Sequence, residues 1–140
     1  MAIWFQGFSV DELNRHGKNT MSEFLGIQFT EIGDDFLTAT MPVNERTKQP
    51  LGILHGGANV VLAETVASTA ANAVIDLSQF YCVGLEINAN HLRSVAEGFV
   101  TATTSPIHIG RTTQVWQINI FNEAGKKTCT SRMTAAVITR

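Results

Sequence analysis

His55-Gly56-Gly57-Ala58-Asn59-Val60-Val61-Leu62-Ala63-Glu64-Thr65-Val66-Ala67-Ser68-Thr69-Ala70-Ala71-Asn72-Ala73-Val74-Ile75 is the stretch from which the fold follows. Residues 57–75 read as one helix that is apolar or small on every face, and such a helix belongs in a protein interior. Glu64 is its only charged residue. A carboxylate buried in this way is costly unless it is paired or has a task. Directly upstream, His55 and two glycines stand where the helix N-terminus is expected.

Working outward, Ser9-Val10-Asp11-Glu12 is a capping box, with Ser9 as N-cap and Glu12 as its partner at N3. The short helix it opens runs to about His16, and Gly17 is a natural stop. Thr20-Met21-Ser22-Glu23 repeats the signature ahead of Phe24-Leu25 and is closed by Gly26. Strands are expected over 26–32 and 36–43, joined by the turn Gly33-Asp34-Asp35. A loop over 44–51 leads into the long helix. After a polar gap at 76–79, strands are expected over 81–91, 99–109, 113–121 and 127–138, the last two joined through Asn122-Glu123-Ala124-Gly125. Trp116-Gln117-Ile118-Asn119-Ile120 alternates apolar and polar, so one face of this sheet is buried and the other partly wet. The order predicts an α+β fold, an antiparallel β-sheet wrapped around a long central α-helix, as a single domain over 1–140. One small sheet covers only one side of the helix. A second copy of the chain is the simplest cover for the other.

Composition points the same way. Of 140 residues, 44% are hydrophobic and only 16% charged, which suggests that some surface is hidden in an oligomer. The net charge of −2 argues against a nucleic-acid partner. Cys82 and Cys129 lie far apart in apolar runs and read as reduced core thiols, which fits the cytoplasm. Met1-Ala2-Ile3-Trp4-Phe5-Gln6 has neither the basic region nor the long apolar run of a signal peptide. The long helix is about long enough to cross a bilayer. Its Ala, Ser, Thr and Asn content and Glu64 make it a core helix instead, so no membrane partner is expected.

A glycine-rich helix start together with a buried acid suits acyl chemistry. Ester or thioester hydrolysis needs donors aimed at the developing oxyanion and a base or nucleophile for the carbonyl carbon. Unpaired N–H groups at a helix N-terminus suit the first task, and Gly56 lets a carbonyl approach the backbone. Glu64 suits the second. Eight residues separate the two, or about 12 Å along a helix axis. One carbonyl cannot reach both within a chain, so a shared substrate requires Gly56 of one subunit and Glu64 of another, from antiparallel central helices. Ser68, one turn beyond Glu64, is placed to hold the carboxylate or an attacking water. Gln49 and His55 would act beside Gly56.

Gln49-Pro50-Leu51-Gly52-Ile53-Leu54-His55-Gly56-Gly57, followed by Leu62-Ala63-Glu64-Thr65 and Ser68, resembles the hotdog-fold acyl-CoA thioesterases of the phenylacetyl-CoA and 4-hydroxybenzoyl-CoA type. The likeness runs from Ile3-Trp4 through Met41-Pro42-Val43 to the last strands. Within that family, Val83-Gly84-Leu85-Glu86-Ile87-Asn88-Ala89-Asn90-His91 looks most like the 1,4-dihydroxy-2-naphthoyl-CoA thioesterases of menaquinone and phylloquinone synthesis. The proofreading thioesterases of enterobactin synthesis are the near alternative.

The resemblance implies an aromatic acyl-CoA hydrolase, a homodimer or dimer of dimers. Glu64 would be nucleophile or general base, Gly56 the oxyanion donor, Gln49 and His55 orienting groups, and Ser68 the positioner of Glu64 or water. It further implies CoA contacts from Gly84, from His91, Leu92, Arg93 and Ser94, and from His108, Ile109, Gly110, Arg111, Thr112 and Thr113. Guanidinium groups at Arg93 and Arg111 suit phosphate oxygens. Position 94 is Ser where many relatives carry Pro, a departure outside the chemistry. Neither a metal nor a redox cofactor is implied, since no H-x-H, H-x-x-x-H or C-x-x-C spacing occurs.

Taken one at a time, the residues leave other roles open. Glu64 could be a structural acid bonded to Ser68, His55 a cap, Gly56-Gly57 a turn, and His91 and His108 half-buried strand residues. Arg93 and Arg111 could be solvated surface groups. Trp4, Phe5, Phe8, Phe24 and Leu25 could pack the sheet edge or line an acyl pocket. Two other activities compete on the same fold: a dehydratase, which would need a His and an acid poised for elimination, and a non-catalytic acyl-CoA-binding or carrier-docking module.

Overall fold

In a computed structural model describing residues 1–140, the elements run α1 (Val10–His16), α2 (Met21–Phe24), β1 (Gln28–Ile32), β2 (Leu37–Pro42), α3 (Gly56–Ala73), β3 (Phe80–His91), β4 (Phe99–Ile109), β5 (Thr113–Phe121) and β6 (Lys127–Thr139). The six strands form one antiparallel sheet in the order β1-β2-β4-β5-β6-β3. The sheet curls around α3, which touches β2 through β6. This is the hotdog arrangement.

Alternation decides which strand residues meet the helix. Leu37, Ala39 and Met41 of β2, Val100 and Ala102 of β4, Trp116, Ile118 and Ile120 of β5, and Cys129, Met133 and Ala135 of β6 are buried every second residue. Opposite them α3 presents Ala63, Ala67, Ala70 and Ala71 with Leu62 and Val66, all fully buried. Small residues on the helix leave room for the indole of Trp116.

The C-terminal end of α3 is clamped by polar groups. Buried Gln114 accepts from Trp116 Nε1 at 2.8 Å and donates to the Ala71 carbonyl at 3.3 Å. Phe5 N–H donates to the Ala73 carbonyl, and Asn72 pairs with both backbone groups of Cys82. Carbonyls at a helix end have no partner within the helix, so these bonds satisfy them and fix α3 against β3 and β5.

Two details differ from the sequence reading. The Ser9–Glu12 capping box forms as expected. At α2, Thr20 accepts from Ser22 N–H, but Glu23 accepts from Asn19 N–H rather than from the cap residue. Asn19 is left-handed, with φ of 60°, which turns its N–H toward that carboxylate. Nor is α3 buried on every face within one chain: Val61, Glu64, Thr65, Ser68, Thr69 and Asn72 are only half-buried. Thr65, Ser68, Thr69 and Asn72 line a cleft of about 840 Å³ shared with α1, α2 and β1, while Glu64 and Asn72 also meet β3 and Ser68 meets Met133 of β6.

The sheet ends differ as well. β1 has five residues, and Asn14 blocks its free side by accepting from Phe29 N–H at 2.8 Å and donating to the Phe29 carbonyl at 3.0 Å. β3 has twelve residues and no neighbour on one side. A long unpaired edge is a template for another strand.

Candidate active site at the start and middle of the central helix

The two halves of the expected chemistry lie on α3 but not together. At its start, His55 is the N-cap, and its Nδ1 accepts from Gly57 N–H at 2.7 Å. A neutral His55 ring therefore carries its proton on Nε2. Gly57 is thereby engaged, whereas Gly56, the first helical residue, donates its N–H to no protein group. That leaves one donor at the positive end of the helix dipole for an incoming oxygen.

Gly56 also has a steric reason to lack a side chain. A Cβ there would lie 2.8 Å from His91 Nε2, so the imidazole rests on the glycine. The ring's other side is held by Asn59, whose Nδ2 lies 3.3 Å from His91 Nδ1. Asn59 is buried, and its Oδ1 has no partner. The sequence reading passed over Asn59. Its polarity four residues into a buried helix was the available signal. Gln49 sits in the turn before the helix, with its carboxamide oxygen accepting from Leu51 N–H. Its side chain is thus folded onto its own loop.

Two turns along, Glu64 is half-buried, and its Oε1 accepts from Ser68 Oγ at 3.1 Å. No cation pairs with it; the only ion pair in the molecule joins the Met1 amino group to Asp34. The carboxylate is therefore held by a neutral hydroxyl and is not spent in a salt bridge.

β3 runs along the helix past both places. Cys82 meets Asn72, Gly84 meets Glu64, and His91 meets Gly56 and Asn59. A strictly alternating strand could not do this, because Gly84 is even-numbered and His91 odd. A β-bulge between Gly84 and Glu86 supplies the extra residue, Leu85, and reverses the parity. Before the bulge, Cys82 and Gly84 face the helix; after it, Ile87, Ala89 and His91 do.

The other residues lie at exposed ends of the sheet. Leu92, Arg93 and Ser94 follow β3, and the N–H groups of Leu92 and Arg93 donate to the Thr128 carbonyl. His108 and Ile109 end β4, Gly110, Arg111 and Thr112 form the β4–β5 turn, and Thr113 opens β5, with a bond from Gly110 N–H to the Thr113 carbonyl. Neither Arg93 nor Arg111 has an acidic partner. No three His, Cys, Asp or Glu side chains come together in a way that could hold a metal. Gly84, expected from the resemblance to touch CoA, has Glu64 as its immediate neighbour.

An antiparallel sheet around a helix that carries a lone acid, with a free N–H at that helix's start, is the arrangement expected of a hotdog-type thioesterase. The chain belongs to the Thioesterase superfamily, which residues 51–129 match. It is 52% identical over 136 residues to the 1,4-dihydroxy-2-naphthoyl-CoA hydrolase of Escherichia coli, covering 97% of this chain and 99% of that protein. It is 46% identical over 136 residues to the proofreading thioesterase EntH of Cronobacter turicensis, covering 97% and 98%. Its structure is similar to that of a mutant thioesterase of Pseudomonas aeruginosa, with a TM-score of 0.98, 49% identity, and 99% and 100% of the two chains covered. A thioesterase of Haemophilus influenzae gives a TM-score of 0.95 at 47% identity over 98% and 95%. The protein is a thioester hydrolase.

Proposed function

We propose that the chain hydrolyses an aromatic acyl-CoA to the free acid and CoA, with 1,4-dihydroxy-2-naphthoyl-CoA as the first candidate. The observation that carries the reading is the pairing of a free Gly56 N–H with an uncompensated Glu64 carboxylate. Near full-length identity to a hydrolase of that thioester supports the choice of substrate.

The carbonyl oxygen is placed at Gly56 N–H, where negative charge is favoured as the carbon becomes tetrahedral. Glu64 acts on the carbonyl carbon, either by taking a proton from water or by forming an acyl anhydride that water opens. Collapse expels the CoA thiolate, which takes up a proton. Ser68 orients Glu64, and His55 and Gln49 orient the thioester. These steps draw on no metal or redox cofactor.

Gly56 and Glu64 are eight residues apart on one helix, about 12 Å along its axis, so the site combines Gly56 of one subunit with Glu64 of its partner. The free β3 edge is the surface on which two copies join. Tyr81 and Val83, exposed on the outer side of β3, give such a dimer an apolar face for pairing into a tetramer. Arg93 and Arg111 are the proposed partners of the CoA phosphates, and the cytoplasm is the proposed location.

Similarity to EntH favours a second reading, removal of hydroxybenzoyl-type groups from a carrier protein. One experiment separates the two. CoA or carrier thiol release is followed over hydroxynaphthoyl-, benzoyl-, hydroxybenzoyl-, phenylacetyl- and straight-chain thioesters, with Glu64→Ala in parallel. Fastest turnover of the hydroxynaphthoyl thioester, lost in the variant, is the expected result. Preference for the carrier-bound hydroxybenzoyl group would give the second reading. Absence of turnover on every thioester would refute both.

A further inference from the structure

Glycine at position 84 is not required by the backbone. Four glycines have positive φ, namely Gly26, Gly52, Gly98 and Gly125, and Gly84 is not among them. Its absent side chain matters because of what occupies the space. All three atoms nearest to a Cβ built at Gly84 belong to Glu64: Oε1 lies inside the 3.0 Å limit that real Cβ atoms respect, Cδ at 3.4 Å and Oε2 at 3.7 Å. No backbone atom and no other side chain is that near. The Glu64 carboxylate therefore stands in the space that any other residue's Cβ would fill, with Ser68 Oγ on Oε1.

We infer that Gly84 is a positioning residue for the reaction, holding open the seat in which the Glu64 carboxylate rests against β3. This assignment rests on Glu64 being the reacting group. Three features of the chain cooperate in it. The Asn72–Cys82 pairing sets the height of β3 along α3. The bulge at Leu85 then lets Gly84 face Glu64 while His91 faces Gly56. The missing Cβ admits the carboxylate. With alanine at 84 the Glu64 side chain must swing away, since it is the flexible partner, and the Ser68 bond goes with it. Folding should survive this, because only the tip of a mobile side chain has to move. The chemistry should not.

The test is a double-mutant cycle on the intact enzyme, with steady-state kinetics and thermal melting of each form. Gly84→Ala is expected to lower kcat by roughly tenfold or more, with KM within about threefold, as for loss of a group acting in the transition state. Glu64→Asp withdraws the carboxylate by about 1.5 Å, one C–C bond, and vacates the space. In the Glu64→Asp background the further change Gly84→Ala should therefore cost less than about threefold, a strong departure from additivity. Should Gly84→Ala lower Tm, Glu64→Asp should restore it.

Equal losses in both backgrounds, or a lowered Tm that Glu64→Asp does not recover, would overturn the assignment. So would raised KM at unchanged kcat, which would make Gly84 a substrate contact. A control with Glu64→Ala separates the two levels of the argument. If that variant stays active, Glu64 is not the reacting group. If it is inactive while Gly84→Ala matches wild type, only the role of Gly84 fails.

Discussion

Ser68 Oγ stands 3.1 Å from Glu64 Oε1, one helical turn further along α3, and is the only hydrogen-bond donor in the chain that reaches that carboxylate. If Glu64 carries the chemistry, its removal and that of its hydroxyl partner should differ in size. Glu64→Ala should lower kcat on the order of a thousandfold, and Ser68→Ala about tenfold with KM little changed. Both variants should keep the wild-type circular dichroism spectrum. Full activity in Glu64→Ala would leave Glu64 a structural acid.

Gly56 is crowded by a ring. Alanine there would bring a Cβ to 2.8 Å from His91 Nε2 and beside the free N–H. Gly56→Ala should therefore lose on the order of a hundredfold in kcat, the size expected for one oxyanion donor. Gly57→Ala should also be harmful, since its Cβ would meet the His55 ring, with Nδ1 at 2.9 Å. Near-normal kcat in Gly56→Ala would place the oxyanion elsewhere.

The exposed guanidinium groups of Arg93 and Arg111 have no acidic neighbour to compete for them. Replacing either by Ala should raise KM for an acyl-CoA severalfold and leave kcat within about threefold, as loss of uniform binding does. The penalty should shrink as salt rises. It should vanish with acyl-pantetheine, which carries no nucleotide phosphates. An unchanged KM in the double variant would remove both residues from the CoA site.

Both cysteines are buried and unpaired, and burial pushes the Cys82 thiol up to about 11 and raises Cys129 as well. The thiolate is the reactive form, so at pH 8 only about one Cys82 thiol in a thousand is ionised. A disulfide reagent should leave the folded enzyme unlabelled over the minutes of an assay and titrate two thiols after denaturation. Labelling should quicken as pH climbs toward 11. Rapid native labelling at pH 8 would contradict the burial.

Much of this was legible beforehand because local signals agreed with the fold. The β4–β5 hairpin falls on residues 99–109 and 113–121 because alternation and turn residues coincide there. The long helix announced itself through Ala-rich burial, and its lone acid drew attention to the site. Position 84 could not be read this way. Its role depends on a bulge that reverses the parity of β3, and Leu85 in a continuous apolar run carries no sign of one. Asn59 was missed for a related reason: its contact is with His91, 32 residues away, on the strand the bulge re-aims. Thr65, Thr69 and Asn72 of α3 read as small, buried residues, yet they border an open cleft, with their side chains bonded to carbonyls one turn back.

The central claim is that one active site draws Gly56 and His55 from one chain and Glu64 from another, and subunit mixing tests it. Glu64→Ala and His55→Ala chains, each impaired alone, are exchanged in solution, and mixed dimers are isolated by a differential tag. A hybrid then holds one site with both residues intact and one with neither, so its kcat should return to about half the wild-type value. Hybrids no more active than the parent variants, with exchange proven by mass spectrometry, would show that the site is not shared in this way.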